Sequence, residues 1–271
     1  MDLTGSTAFI TGGAQGIGLG IARALAEEGA KLALVDLDAA ALERAHAELS
    51  PRTTVRTHVL DVRDRTGYDR VADEVEAELG PVSLLFNNAG VAAGCHVSQM
   101  TYDHWDWMLG VNLGGVVNGV QTFVPRIIQR GAGGYVVNTS SGAGVVATDA
   151  GFLYSTSKFA VVGMSETLRL ELAPFGIGVS VLCPGPVATD IVQNTWKWGP
   201  NGGDPELEAA LEPAVAFLQT GTSPDVVGRQ VIEGMRRGQV HIFTDDVLRE
   251  PLCARAELLD SALPDIALAS H

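Results

Sequence analysis

Thr7-Ala8-Phe9-Ile10-Thr11-Gly12-Gly13-Ala14-Gln15-Gly16-Ile17-Gly18 is the stretch that decides the fold. Thr7–Thr11 reads as a buried strand. Gly18–Gly29 reads as a helix, with Ile21, Ala22 and Leu25 on one face. Glycines at the turn between them let the backbone approach a pyrophosphate, and the helix N-terminus offers unpaired N–H groups to an anion. Taken alone, the G-x3-G-x-G spacing also fits an ordinary tight turn.

The same alternation continues outward. Leu32–Val35 is a second strand ended by Asp36, Ala39–Leu49 a helix, Val55–Leu60 a strand and Arg65–Leu79 an acidic helix. Val82–Phe86 is a strand, Thr101–Arg130 one long helix, Tyr135–Thr139 a strand, Gly151–Phe175 a helix and Val179–Leu182 a strand. Pro184, Pro186, Pro200 and Pro205, with Gly199, Gly202 and Gly203, mark 184–205 as a long loop. Helices near 206–219 and 224–237, a strand at Val240–Thr244 and a helix near 246–262 complete the chain. Strands apolar throughout, alternating with helices, predict an α/β fold: a doubly wound parallel sheet flanked by helices.

Composition narrows the function classes. Of 271 residues, 46% are hydrophobic and 18% charged, which supplies a core and excludes a disordered acidic chain. The formal net charge of −14 argues against nucleic acid and anionic membranes as partners. No apolar run is long enough to predict a membrane span, and the N-terminal residues do not read as a signal peptide. The three cysteines, Cys95, Cys183 and Cys253, form no metal-ligand spacing with the six histidines, so no metal site and a reducing, cytoplasmic setting are expected.

Asp36 ends its strand where a carboxylate accepts both hydroxyls of an adenosine ribose and repels a 2′-phosphate. No Lys or Arg stands at 14, 15, 37 or 38 to bind such a phosphate, which favours NAD over NADP. Tyr154 and Lys158 lie one helical turn apart on one face. A free tyrosine, with a pKa near ~10, is a poor base at neutral pH, and bringing it into range takes ~3–4 kcal/mol of extra phenolate stabilisation. A neighbouring ammonium acts in that direction. Asn87-Asn88-Ala89-Gly90, Ser140-Ser141 and Pro184-Gly185-Pro186-Val187-Ala188-Thr189-Asp190 each follow a strand, where open α/β sheets bind ligands.

With these motifs in this order, the chain resembles the short-chain dehydrogenase/reductase family over residues 3–245. The resemblance implies one NAD-binding Rossmann domain over 1–271, strand order 3-2-1-4-5-6-7, and homodimers or homotetramers paired through the long helix. It implies an Asn112–Ser141–Tyr154–Lys158 catalytic tetrad. Tyr154 would be the general acid/base and Ser141 would hydrogen-bond the same substrate oxygen. Lys158 would support Tyr154 and the nicotinamide ribose, and Asn112 would position a proton-relaying water. The cofactor would be held by Gly12, Gln15, Gly16, Ile17, Gly18, Asp36 and Leu37 at one end. Asp61 and Val62 would lie at the adenine, Asn88, Ala89 and Gly90 along its length, and Pro184, Gly185, Val187 and Thr189 near the nicotinamide.

The segments 91–98, 142–153 and 186–220 are expected to line the substrate cleft, with Cys95, Val145, Phe152, Trp196 and Trp198 as wall residues. Their apolar character and lack of arginine point to a bulky, mostly apolar secondary alcohol or ketone. Residues 190–220 are expected to form a lid, because Trp196, Trp198 and Phe217 need an apolar surface to close on. Cys183 reads as a small buried filler and His96 as a surface residue. Trp105 and Trp107, two apart on a helix, are expected not to share one core. Two alternatives stand beside the dehydrogenase: an NADPH-dependent ketoreductase of the 3-oxoacyl or polyketide type, and a non-catalytic NAD-sensing protein.

Overall fold

The computed structural model describes residues 1–92, 97–148, 150–200 and 211–264. The strands are β1 (Thr7–Thr11), β2 (Lys31–Asp36), β3 (Val55–Val59), β4 (Val82–Asn87), β5 (Gly134–Thr139), β6 (Ile177–Cys183) and β7 (His241–Phe243). They form one seven-stranded sheet in the order β3-β2-β1-β4-β5-β6-β7, and every pairing is parallel. This is the doubly wound, Rossmann-like sheet the sequence predicts. The order reverses beside β1, so the carboxyl ends of β1 and β4 open a crevice.

Side-chain alternation along the strands divides the core into two layers. Ala8, Ile10, Leu32 and Leu34 point to one face, where they meet Ile21 and Leu25 of α1 (Gly16–Glu27). Val227 and Val231 of a late helix, Pro224–Arg237, join them there. Phe9, Ala33 and Val35 point to the other face. There Phe9 packs on Phe123 at a ring-centroid distance of 4.5 Å and on Tyr68 at 5.7 Å. Tyr68 belongs to α3 (Arg65–Leu79); between it and α1 lies α2 (Ala39–Leu49).

Two expectations need correction. The segment 101–130 is not one uniform helix: α4 (Tyr102–Leu109) and α5 (Gly115–Arg130) are joined by a π turn over Gly110–Gly114. The π turn carries the fully buried Asn112. The helix passes hard against the β3–α3 connection at both ends of this turn: a Cβ at Gly110 would lie 3.2 Å from Arg63 Cδ, and one at Gly115, the first residue of α5, 2.8 Å from Val62 Cγ2. The segment 184–205 is not all loop either. Ile191–Trp198 forms α7, which buries Val192 and Thr195 between the prolines and glycines at 184–186 and those from 199 onward. In chain order α6 is Phe152–Leu172, α8 is Glu212–Gln219, α9 is the late helix Pro224–Arg237, and α10 is Arg249–Ser261.

Trp105 and Trp107 also depart from expectation, since both pack into the cluster around Leu153 and Tyr154. Trp105 reaches it edge-on, its ring 5.3 Å from that of Phe152. No described helix is long and apolar enough to cross a membrane. Among the described residues, no group of three or more His, Cys, Asp or Glu side chains could hold a metal ion.

Candidate active site

A cleft of about 1200 Å³ runs along the carboxyl ends of the strands. This exceeds the usual ~300–1,000 Å³ of small-molecule pockets, and suits a dinucleotide together with a substrate. At its floor, Gly12 and Gly16 adopt φ of 60° and 53°, left-handed values that glycine reaches without strain. Gln15 caps α1 without a side-chain hydrogen bond, so the first N–H groups of the helix stay available to an anion. Gly12, Gln15, Gly16 and Ile17 line the cleft. Gly18 does not: it lies against Gly12 O and Asn88, where a Cβ would collide with both, so its role is close packing of helix and turn.

Asn88 and Thr11 hold this turn in place. Thr11 Oγ1 accepts from the N–H groups of Asn88 at 2.9 Å and Ala89 at 3.1 Å. Asn88 Nδ2 donates to Thr11 O and Gly12 O at 3.1 and 3.3 Å. Asn88, Ala89 and Gly90 all face the cleft, as do Pro184, Gly185, Val187 and Thr189 on the opposite wall.

At one end of the cleft, Asp36 accepts from the N–H groups of Ala14 at 3.2 Å and Asp38 at 3.1 Å. Burial pushes its carboxyl above the usual value, while these N–H groups pull the other way. Leu37, Asp61, Val62 and Arg63 complete this end. Arg63 is paired with Asp61 at 2.6 Å, and the hydrogen bond from Arg63 holds the Asp61 carboxyl below its usual value.

At the other end, α6 brings Tyr154 and Lys158 to the cleft, facing Ser141 at the end of β5. Lys158 Nζ donates to Thr139 O at 3.1 Å and lies 5.6 Å from the Tyr154 ring centroid. Burial raises the Tyr154 phenol, and its hydrogen bond with Ser141 acts in the opposite direction. Burial lowers the Lys158 ammonium to about 8. Asn112 Oδ1 accepts from Val91 N–H at 2.8 Å, and its Nδ2 donates to Val91 O at 2.9 Å and Ser157 Oγ at 3.1 Å. The Asn112 side chain thus ties the loop after β4, and both Asn112 Oδ1 and Lys158 Nζ come to 3.3 Å from where a Cβ at Gly90 would lie.

This geometry coincides with a sequence match: the family model for short chain dehydrogenases fits residues 6–200. The chain belongs to the short-chain dehydrogenase family. It is 37% identical over 270 residues to the C alpha-dehydrogenase of Sphingobium sp. strain SYK-6, covering 97% of this chain and 88% of that one. It is 38% identical over 201 residues to the D-threitol dehydrogenase of Mycolicibacterium smegmatis, covering 74% and 76% of the two chains. The crystal structure of a Burkholderia phymatum short chain dehydrogenase/reductase in complex with NAD superimposes with a TM-score of 0.90, at 30% identity and full coverage of both chains. The protein is an oxidoreductase of a family that binds a nicotinamide cofactor and acts on CH–OH groups.

The dehydrogenase places its expected substrate residues unevenly. Trp198 and Phe217 line the cleft. Val145 does not: it packs with Val116, Val161 and Cys183 in a buried cluster. Cys183 lies there too, its thiol pushed up to about 12 mainly by burial. Phe152 is exposed and supports Trp105, and Trp196 is half-buried away from the cleft wall. Cys95 and His96 lie outside the described residues.

Other wall residues escaped the sequence reading. Trp107 reaches the cleft from α4, and Val247 and Leu248 reach it from beyond β7. The last two had a signal: they follow the carboxyl end of a strand, where this fold binds ligands.

Proposed function

We propose that this short-chain dehydrogenase uses NAD to oxidise a bulky, mostly apolar secondary alcohol, or to reduce the matching ketone. The observation that carries this reading is a single cleft with Ser141, Tyr154 and Lys158 at one end and the Asp36 carboxylate at the other. Asp36 supports NAD because a buried carboxylate accepts ribose hydroxyls and repels a 2′-phosphate. Of the cations near that end, Arg63 and Lys197 are each tied to a carboxylate, Asp61 and Asp38. The walls support the substrate class: Val192, Trp198 and Phe217 offer apolar surface in the same cleft, and Trp107 packs in the cluster that holds Tyr154. The relative named a C alpha-dehydrogenase supports chemistry at a carbinol carbon.

The nicotinamide, when bound, supplies or accepts the hydride. Tyr154 takes the hydroxyl proton during oxidation and returns it during reduction. Ser141 hydrogen-bonds the same oxygen as charge develops on it. Lys158, next to the Tyr154 ring, stabilises the phenolate and binds the cofactor ribose. Asn112 holds the Val91 loop, and so the floor beneath the reacting atoms, in register. Gly12, Gly16 and the open N-terminus of α1 hold the pyrophosphate.

We place the enzyme in the cytoplasm as a homodimer or homotetramer paired through α4 and α5, which light scattering in solution tests. The test of activity is NADH formation from NAD with a panel of aryl and alicyclic secondary alcohols, run in parallel with NADP. Turnover with NAD and bulky apolar alcohols is the expected result. Turnover only with NADP, or only with small polyols, would overturn the reading.

A further inference from the structure

We propose that α7 is a strap across the dinucleotide, and that the ion pair between Lys197 and Asp38 is the latch that governs cofactor release. This rests on the reading of the cleft as an NAD site.

The argument begins with helix geometry. Residues two apart on an α-helix point to nearly opposite sides. On α7 these are Thr195 and Lys197, and each is anchored to a different wall. Thr195 Oγ1, buried, accepts from Ala92 N–H at 2.8 Å, on the loop after β4. Lys197 Nζ donates to Asp38 Oδ2 at 2.9 Å, on the turn after β2. In the sheet, β2 and β4 are the two neighbours of β1. A helix tied to the loops after β2 and β4 therefore straddles the glycine turn after β1, where the pyrophosphate is read to sit.

Two further contacts set the strap. At the start of its segment, Thr189 lies against Gly16, whose Cβ would be 3.2 Å from Thr189 Cγ2. At its end, Gly199 abuts the ring of Trp107, with a Cβ there 3.2 Å from Cη2. The Lys197 ammonium also lies over the Trp198 ring, 4.5 Å from its centroid. Of the two anchors, Thr195 is buried while the Lys197 side chain is half-exposed. The outer anchor is the one that water and salt reach, so it opens first.

Asp38 is also suited to the role. Its Oδ1 accepts from Ala41 N–H and caps α2, which leaves Oδ2 for Lys197. The two duties can be separated, because asparagine caps a helix as well as aspartate does but carries no charge.

The test is stopped-flow release of NADH from the full chain, chased with excess NAD. Lys197→Met and Asp38→Asn should each release NADH about two- to fivefold faster, the scale of an exposed ion pair. The double variant should be no faster than either single one. Lys197→Arg should restore slow release. Added KCl should speed release from the wild type and leave the neutral variants unchanged. Equal release rates in wild type and Lys197→Met, with NADH bound in both, would overturn the latch while leaving the cofactor reading intact. No NADH binding by the wild type would overturn that reading and the latch together.

Discussion

Asn112 pairs with the backbone of Val91 as one peptide group pairs with another, accepting its N–H at 2.8 Å and donating to its C=O at 2.9 Å. The π turn makes this possible by carrying Asn112 on a widened coil beside the β4 loop. The half-buried loop after β4 thereby has its Val91 N–H and C=O paired within the protein.

Asn112→Ala should therefore act on both fold and site. It removes the two hydrogen bonds to half-buried Val91, at a cost of about 1–2 kcal/mol. Thermal unfolding should shift downward, and turnover should fall as the loop lining the cleft loses register. An unchanged melting temperature would remove Asn112 from this structural role.

The proposed preference for NAD rests on Asp36. NAD should be favoured over NADP by about tenfold or more in kcat/KM, equivalent to ~1.4 kcal/mol. Asp36→Ala combined with Leu37→Arg should relax or reverse it. Because burial raises the Asp36 carboxyl, its charge is lost earlier than usual as pH falls. The discrimination against NADP should weaken in that direction. Steady-state kinetics with both cofactors across acidic pH would check both points.

The sheet and the proposed catalytic end were legible in the sequence because their signals are local. A buried parallel strand is a short apolar run, and Tyr154 and Lys158 sit one helical turn apart on α6. What stayed hidden depends on contacts distant in the chain. The π turn at Asn112 follows from a partner at Val91, and the Lys197–Asp38 pair joins residues from opposite walls. Val145 and Phe152 look like wall residues in one dimension. Yet the packing of β6 against α6 takes the first inward and a tryptophan takes the second outward. The helix α7 was masked by the prolines and glycines on either side of it.

The lid reading predicts a ligand-dependent change in backbone protection. Phe217 and Trp198 are exposed at 60% and 41% although they face the cleft, so they have apolar surface still to bury. Hydrogen exchange in α7 and α8 should slow when NADH and a substrate analogue are both bound. Protection that does not change with both ligands present would exclude a closing lid.

Tyr154→Phe isolates the chemistry. It removes one hydroxyl from a buried ring and leaves the cofactor walls untouched, so NADH fluorescence titration should give near wild-type binding. Turnover should fall by about 10²- to 10⁴-fold, the contribution typical of a positioned acid/base. Under the proposed mechanism, oxidation requires the phenolate and reduction the phenol. Burial holds Tyr154 toward its neutral form, so oxidation should rise with pH and reduction should fall over the same range. Lys158→Met, which removes the ammonium beside the ring, should move both limbs to higher pH. Substantial activity in Tyr154→Phe, or oxidation that does not depend on pH, would mean that another group carries the proton.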